Sequence, residues 1–138
     1  MRNEANAGTA GCLVNDSLRE IMRNSEDYFF VKDTELVYHG SSVVFARLAG
    51  LDSPAQLVGK NDRDLFPRDI AEKYRADDRA VLESGEPING TVERLPDLEG
   101  QQRWTKTWKY PIRDGAGKSW DFTVSAATSP IRWNWNSE

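Results

Sequence analysis

One cysteine, one histidine and no apolar run near the ~20 residues that would cross a bilayer leave this 138-residue chain with little conventional equipment. Cys12 stands alone in a polar N-terminal stretch, which excludes an internal disulfide and a cysteine-based zinc site. With His39 as the sole imidazole, a two-histidine metal site is impossible and a Ser-His-Asp triad would have one residue to draw on. There is no P-loop and no GxGxxG; the GAG at 115–117 reads as a turn. Basic residues number 18 against 22 acidic ones, a formal charge of -4, so no basic face offers itself to nucleic acid. The N-terminus MRNEANAGTAGCLVND has no signal-peptide core, and a cytoplasmic location without membrane contact is expected. What is present, 38% hydrophobic and 29% charged residues, suits one soluble globular domain of ordinary size.

Periodicity divides the chain into three parts. Residues 1–15 form a polar tail. A helix begins at Asp16 or Ser17, with Ser17 and Glu20 at capping-box spacing and Leu18, Ile21 and Met22 on one face. YFFVKD (28–33) and LVYH (36–39) read as a hairpin around Asp33-Thr34-Glu35. The middle is helical. Ser41 or Ser42 caps a short helix with Val44, Phe45 and Leu48 inward, SPAQL starts a further turn, and NDRDLFP gives a single turn burying Leu65 and Phe66. The longest helix is expected from Asp69, with Glu72 as its capping-box partner, to Gly85; Ile70, Tyr74, Val81 and Leu82 mark its inner face. Three strands close the chain: 88–95, 103–112 and one from Ser119 onward. In RWTKTWKYPI, alternation puts Trp104, Trp108, Tyr110 and Ile112 on one face and Thr105, Thr107 and Lys109 on the other. The fold class is α+β: a five-stranded antiparallel sheet with short helices and one longer helix across one face, preceded by an N-terminal helix. The domain is set at 16–128, with a C-terminal tail at 129–138.

FFVKDTELVY, FARLAGL, LVGKNDRDLFPRDIAEKYRADDRAVLESGEPI and the RW…YPIRDGAGK hairpin together closely resemble PAS sensor domains over roughly residues 16–120. The resemblance implies a PAS fold and a non-enzymatic signalling module. Such a module binds a small ligand between sheet and helices, or dimerises, and passes the change to an output domain such as a kinase, a diguanylate cyclase or a helix-turn-helix regulator. It also sorts cofactors. Where light-sensing flavin PAS domains carry the adduct-forming cysteine, this chain has Asp62, which excludes a covalent flavin adduct. The long helix has no histidine to ligate haem, and the cysteine of coumaric-acid photoreceptors has no counterpart. No cofactor is assigned; a small organic ligand, non-covalent flavin included, stays open.

If a ligand binds, the candidate cavity residues are Phe45, Leu48, Phe66, Tyr74 and Trp108, with His39 as polar contact. The same residues equally suit a plain core, and Trp104, Trp108 and Tyr110 equally suit a sheet face covered by the N-terminal helix or a second subunit. Leu18, Ile21 and Met22 are the candidate contacts of a homodimer. Two alternatives stand beside the sensor: an interaction module with a filled core, and a small cavity enzyme using Asp62, Asp64 or Glu93 as a buried carboxylate.

The C-terminal stretch departs from the family. PAS domains of this type end their fifth strand with a sequence like GISRDIT; here it reads WDFTVSAATSPIRWNWNSE, with three of the five tryptophans. One permitted codon choice for residues 120–136, read two bases on, encodes GFYGISRDITDSVELE. This points to a frameshift near Ser119 or Trp120. The replacement stretch still alternates, so it is expected to fill the fifth-strand slot.

Overall fold

The computed structural model describes residues 16–94, 104–113 and 120–127. Helix α1 (Asp16–Arg23) leads into β1 (Tyr28–Asp33) and β2 (Tyr38–Ser41). Then come α2 (Val43–Leu48), a 3-10 turn (Pro54–Gln56), α3 (Asp62–Leu65) and α4 (Arg68–Ser84). Strands β3 (Ile88–Arg94), β4 (Trp104–Arg113) and β5 (Trp120–Ala127) complete the order. The five strands form one sheet in the order β2-β1-β5-β4-β3, with every neighbouring pair antiparallel. Strand β5 therefore occupies the centre, paired with β1 on one side and β4 on the other. The frameshift inference itself concerns nucleotides; residues beyond 127 lie outside the described residues, as does the expected tail at 1–15.

Local chemistry moved two boundaries. Strand β2 starts at Tyr38 instead of Leu36, because Asp33 accepts hydrogen bonds from the amides of Glu35 (2.9 Å) and Val37 (3.1 Å). That turn carries Leu36 through φ +63 and lengthens the hairpin loop by two residues. Helix α4 starts at Arg68 behind Pro67, and the expected Asp69–Glu72 capping box is not formed. Glu72 is drawn away by Arg63, whose Nε lies 2.7 Å from its carboxylate. Gly85 ends α4 at φ +74, donating its amide to the carbonyl of Val81 at 2.8 Å.

Two apolar clusters sandwich the sheet. On the helix side, Tyr28, Phe30, Tyr38, Phe45, Leu48, Leu57, Phe66 and Ala71 form the main core. On the opposite side, α1 lays Met22 against Val31, with Leu18, Phe29, Ile112 and Val124 around them. This revises the expectation for the helix. Met22 is fully buried inside the chain and Leu18 packs beside it, leaving only Ile21, 69% exposed, on the outward side. A helix this short is held by its apolar face and not by its own hydrogen bonds.

Candidate functional site

Strand alternation decides which side chains meet beneath the helices. Tyr28, Phe30 and Lys32 of β1 share the inner face with Thr105, Thr107 and Lys109 of β4 and Thr123 and Ser125 of β5, all buried. A sheet face with this many polar groups calls for partners inside, and Thr123 Oγ1 is left without one among the described residues. Lys32 and Lys109 find theirs in two carboxylates from the helices. Asp62 enters from α3 and Asp78 from α4, and all four side chains are essentially inaccessible to solvent. Lys32 bridges Asp62 and Asp78; Lys109 donates to Asp78 at 2.8 Å and to Ser125 Oγ at 3.1 Å. The Tyr38 hydroxyl donates to the other oxygen of Asp62. Two ammonium and two carboxylate groups cancel, so the network carries no net charge.

The surroundings tune these groups. Burial works against ionisation of Asp78, but Lys109 and Lys32 outweigh it and hold its carboxyl below the usual range. Burial likewise opposes the charge on Lys109, while Asp78 more than compensates and keeps the ammonium form. Burial and then the Asp62 carboxylate push the Tyr38 phenol well up, so it stays protonated as a donor. Both lysines also sit over the Phe30 ring, at 5.3 and 5.2 Å from its centroid, and Lys32 lies 4.8 Å from that of Tyr38.

Beside the network is a small interior cavity of about 20 Å³. Its aromatic wall is Tyr28, Phe30, Phe45 and Tyr74; its polar floor is Thr105, Thr107 and Lys109, with Glu93 at one end. This is room for about one water molecule. Glu93 accepts from Thr107 Oγ1 at 3.3 Å and from Lys73 Nζ at 3.4 Å. Burial raises its pKa and the neighbouring Asp77 adds to that, against Lys109 and Lys73.

Of the predicted cavity residues, Phe45, Leu48 and Tyr74 line this space. Phe66 stands behind them, edge-on to Tyr74 at 5.3 Å and 6.0 Å from Phe45. His39 and Trp108 are placed elsewhere. Both fall at the alternate strand positions and face the other side of the sheet, where His39 Nε2 is 2.8 Å from Asp33 Oδ2 and Lys106 lies over Trp108. Asp64 is exposed and accepts the backbone amide of Asn61, the N-cap of α3, at 3.0 Å as its capping-box partner.

Lys32, Asp78, Lys109 and the two threonines were missed. Their signal lay in register: Lys32 shares parity with Tyr28 and Phe30, and Asp78 falls in line with Tyr74 and Val81 on one face of α4. A charged residue on an apolar face calls for a partner on the element packed against it.

A polar-floored, aromatic-walled space between a five-stranded antiparallel sheet and its crossing helices defines a PAS-type module. The PAS-fold family model matches residues 22–127, and the chain belongs to that family. No curated protein matches the sequence. Among solved structures, VqmA bound to DPO superposes with a TM-score of 0.67 at 23% identity, covering 78% of this chain and 53% of that one. A Vibrio cholerae VqmA dimer gives 0.67 at 22%, covering 77% and 47%. A domain of an HTR-like protein from Haloarcula marismortui gives 0.59 at 18%, covering 75% and 97%. The chain thus spans about half the length of the VqmA chains it matches, and the likeness at these identities is one of fold. No helix among the described residues is long and apolar enough to cross a membrane.

Proposed function

We propose that this chain is a cytoplasmic sensory module of a signal-transduction protein. It takes up a small organic ligand between the sheet and α4 and relays the change to an output domain. The observation that carries this reading is the cavity, whose hydrogen-bonding floor of Thr105, Thr107 and Lys109 faces an aromatic wall. Apolar walls supply affinity and a few polar groups set orientation, the usual division of labour in small-molecule sites. VqmA bound to DPO, a ligand complex with a similar fold, supports the same reading.

A homodimer through the outer sheet face accompanies it. Val92, Trp104 and Tyr110 are 49, 45 and 41% exposed there, and Ile21 on the outward side of α1 is 69% exposed. A non-enzymatic role accompanies this reading: Asp62 is enclosed by Lys32 and Tyr38, Asp64 is the capping-box partner of Asn61 at the start of α3, and Glu93, the one of the three candidate carboxylates that lines the cavity, serves there as a ligand contact. The second reading, a ligand-free interaction module, is favoured by the small volume of the cavity, about 20 Å³.

Heteronuclear NMR of the labelled protein, titrated with the small-molecule fraction of a bacterial extract, separates the two. The sensory reading expects the amides of Thr105, Thr107 and Lys109 to shift. Shifts confined to surface residues, or none, would reject it in favour of the interaction module.

A further inference from the structure

The interior cavity has a neighbour. A groove of about 330 Å³ runs outside it between α4 and β3, bordered by Asp69, Ile70, Lys73, Thr91 and Val92. Tyr74 and Glu93 line both spaces, one on each side of the boundary. We propose that these two side chains form a gate, and that the opened site takes a small planar ring bearing an amino or N–H donor, with Glu93 as its acceptor. This rests on the sensory reading above and adds the ligand's chemistry to it.

Size supports the gate. Alone, the cavity admits about one water, whereas joined to the groove it reaches the lower end of small-molecule pockets, ~300 Å³. The hinge is also unencumbered. Tyr74 has no hydrogen-bond partner among the described residues, and its ring is held by edge contact with Phe66. Turning it away therefore breaks an aromatic contact and no hydrogen bond.

Charge supports the ligand class. At the mouth, one cation serves two carboxylates: Lys73 is 2.7 Å from Asp77 and 3.4 Å from Glu93. On the interior side, Lys109 is engaged by Asp78 and Ser125. Glu93, with its side chain 12% exposed, has long contacts to Thr107 at 3.3 Å and Lys73 at 3.4 Å and a hydrogen-bonding contact with the Asp77 carboxyl, with Lys109 acting on it from the interior. A carboxylate can accept about four hydrogen bonds, so acceptor capacity remains unused. A donor group arriving here neutralises the surplus charge, while Tyr28, Phe30 and Phe45 receive a flat ring. An acceptor-only acid would meet repulsion.

Two probes of similar size test this: 2-aminobenzimidazole, which carries the donors, and benzoate, which has only acceptors. Calorimetry on the purified protein should show the amine binding about tenfold or more tighter than the acid, and Glu93→Gln should weaken the amine by about tenfold, the step for one charge-assisted hydrogen bond. Tyr74→Ala should speed association in stopped flow. Equal binding of the two probes, or Glu93→Gln without effect, overturns the acceptor role; an unchanged association rate overturns the gate. No binding of either probe by the wild type or Tyr74→Ala overturns the inference as a whole. The extract titration decides the sensory reading separately, since it does not depend on donor chemistry or on Glu93.

Discussion

Replacing Asp78 by asparagine tests the network at the centre of the fold. Asp78 is fully buried and accepts from both Lys32 and Lys109, the latter at 2.8 Å. Asparagine keeps the shape and one acceptor oxygen but removes the charge, so Lys109 keeps Ser125 Oγ at 3.1 Å and loses its nearest counter-ion, with Glu93 and Asp62 acting only from farther off. Removing one partner of a buried ion pair typically costs about 3–5 kcal/mol, a large part of the roughly 5–15 kcal/mol that holds a domain together. Urea unfolding at neutral pH, followed by circular dichroism, should show a loss of that size with an unchanged denaturant slope. The acid limb gives a second reading. Because Lys109 and Lys32 outweigh burial and lower the Asp78 pKa, its stabilisation is complete above the unfolded value of about 3.9. It disappears as pH falls through the folded value, so the variant should lose less stability than wild type on acidification. The double replacement Asp78→Leu with Lys109→Met removes both charges and should recover much of the loss. A single variant within about 0.5 kcal/mol of wild type, the range of an inert surface change, would refute the reasoning.

Three other outcomes follow from particular side chains. Met22→Ala should destabilise by about 2–5 kcal/mol in urea, because Met22 is fully buried against Val31, while Ile21→Ala should leave stability unchanged and weaken self-association in sedimentation. Glu93→Gln should raise the melting temperature at pH 7. Burial and Asp77 raise the Glu93 pKa, so its ionised form opposes folding, and the gain should fade as pH falls through the unfolded value of about 4.3 and vanish well below it, where glutamate is protonated in either state. A melting temperature equal to or below wild type at pH 7 would contradict that sign. Sequencing the gene across codons 118–120 should uncover a displaced reading frame encoding GISRDIT; a frame with no trace of that motif on either side rejects the frameshift.

Much of the scaffold could be read from residues alone, because period and punctuation agree there. Phe45 and Leu48 follow a helical period behind Ser42, which caps α2, and Gly85 ends α4 where a left-handed residue was required. The alternation of β4 was also legible, yet the sheet face that borders the cavity was not. Trp108 offered the greater apolar area, which suggested that its face looks inward. The structure instead turns Thr105, Thr107 and Lys109 inward, because Lys109 finds Asp78 on α4 and the tryptophan face lies toward the side that α1 covers in part. Pairing across elements distant in sequence settled the matter, and strand periodicity carries no record of it. Gly90 is similar. At φ +72 it marks a bulge where an added Cβ would meet Lys106 Cε at 2.9 Å, a contact set by register between β3 and β4.

The sensory role is most directly tested by native mass spectrometry of the protein purified from a bacterial host, recorded under gentle and then denaturing conditions. A ligand enclosed behind Tyr74 and Glu93 predicts a discrete small-molecule adduct on a dimer, retained in the native spectrum and released on unfolding. A bare polypeptide mass under both conditions, unchanged after incubation with the small-molecule fraction of the extract, would contradict ligand sensing at this site.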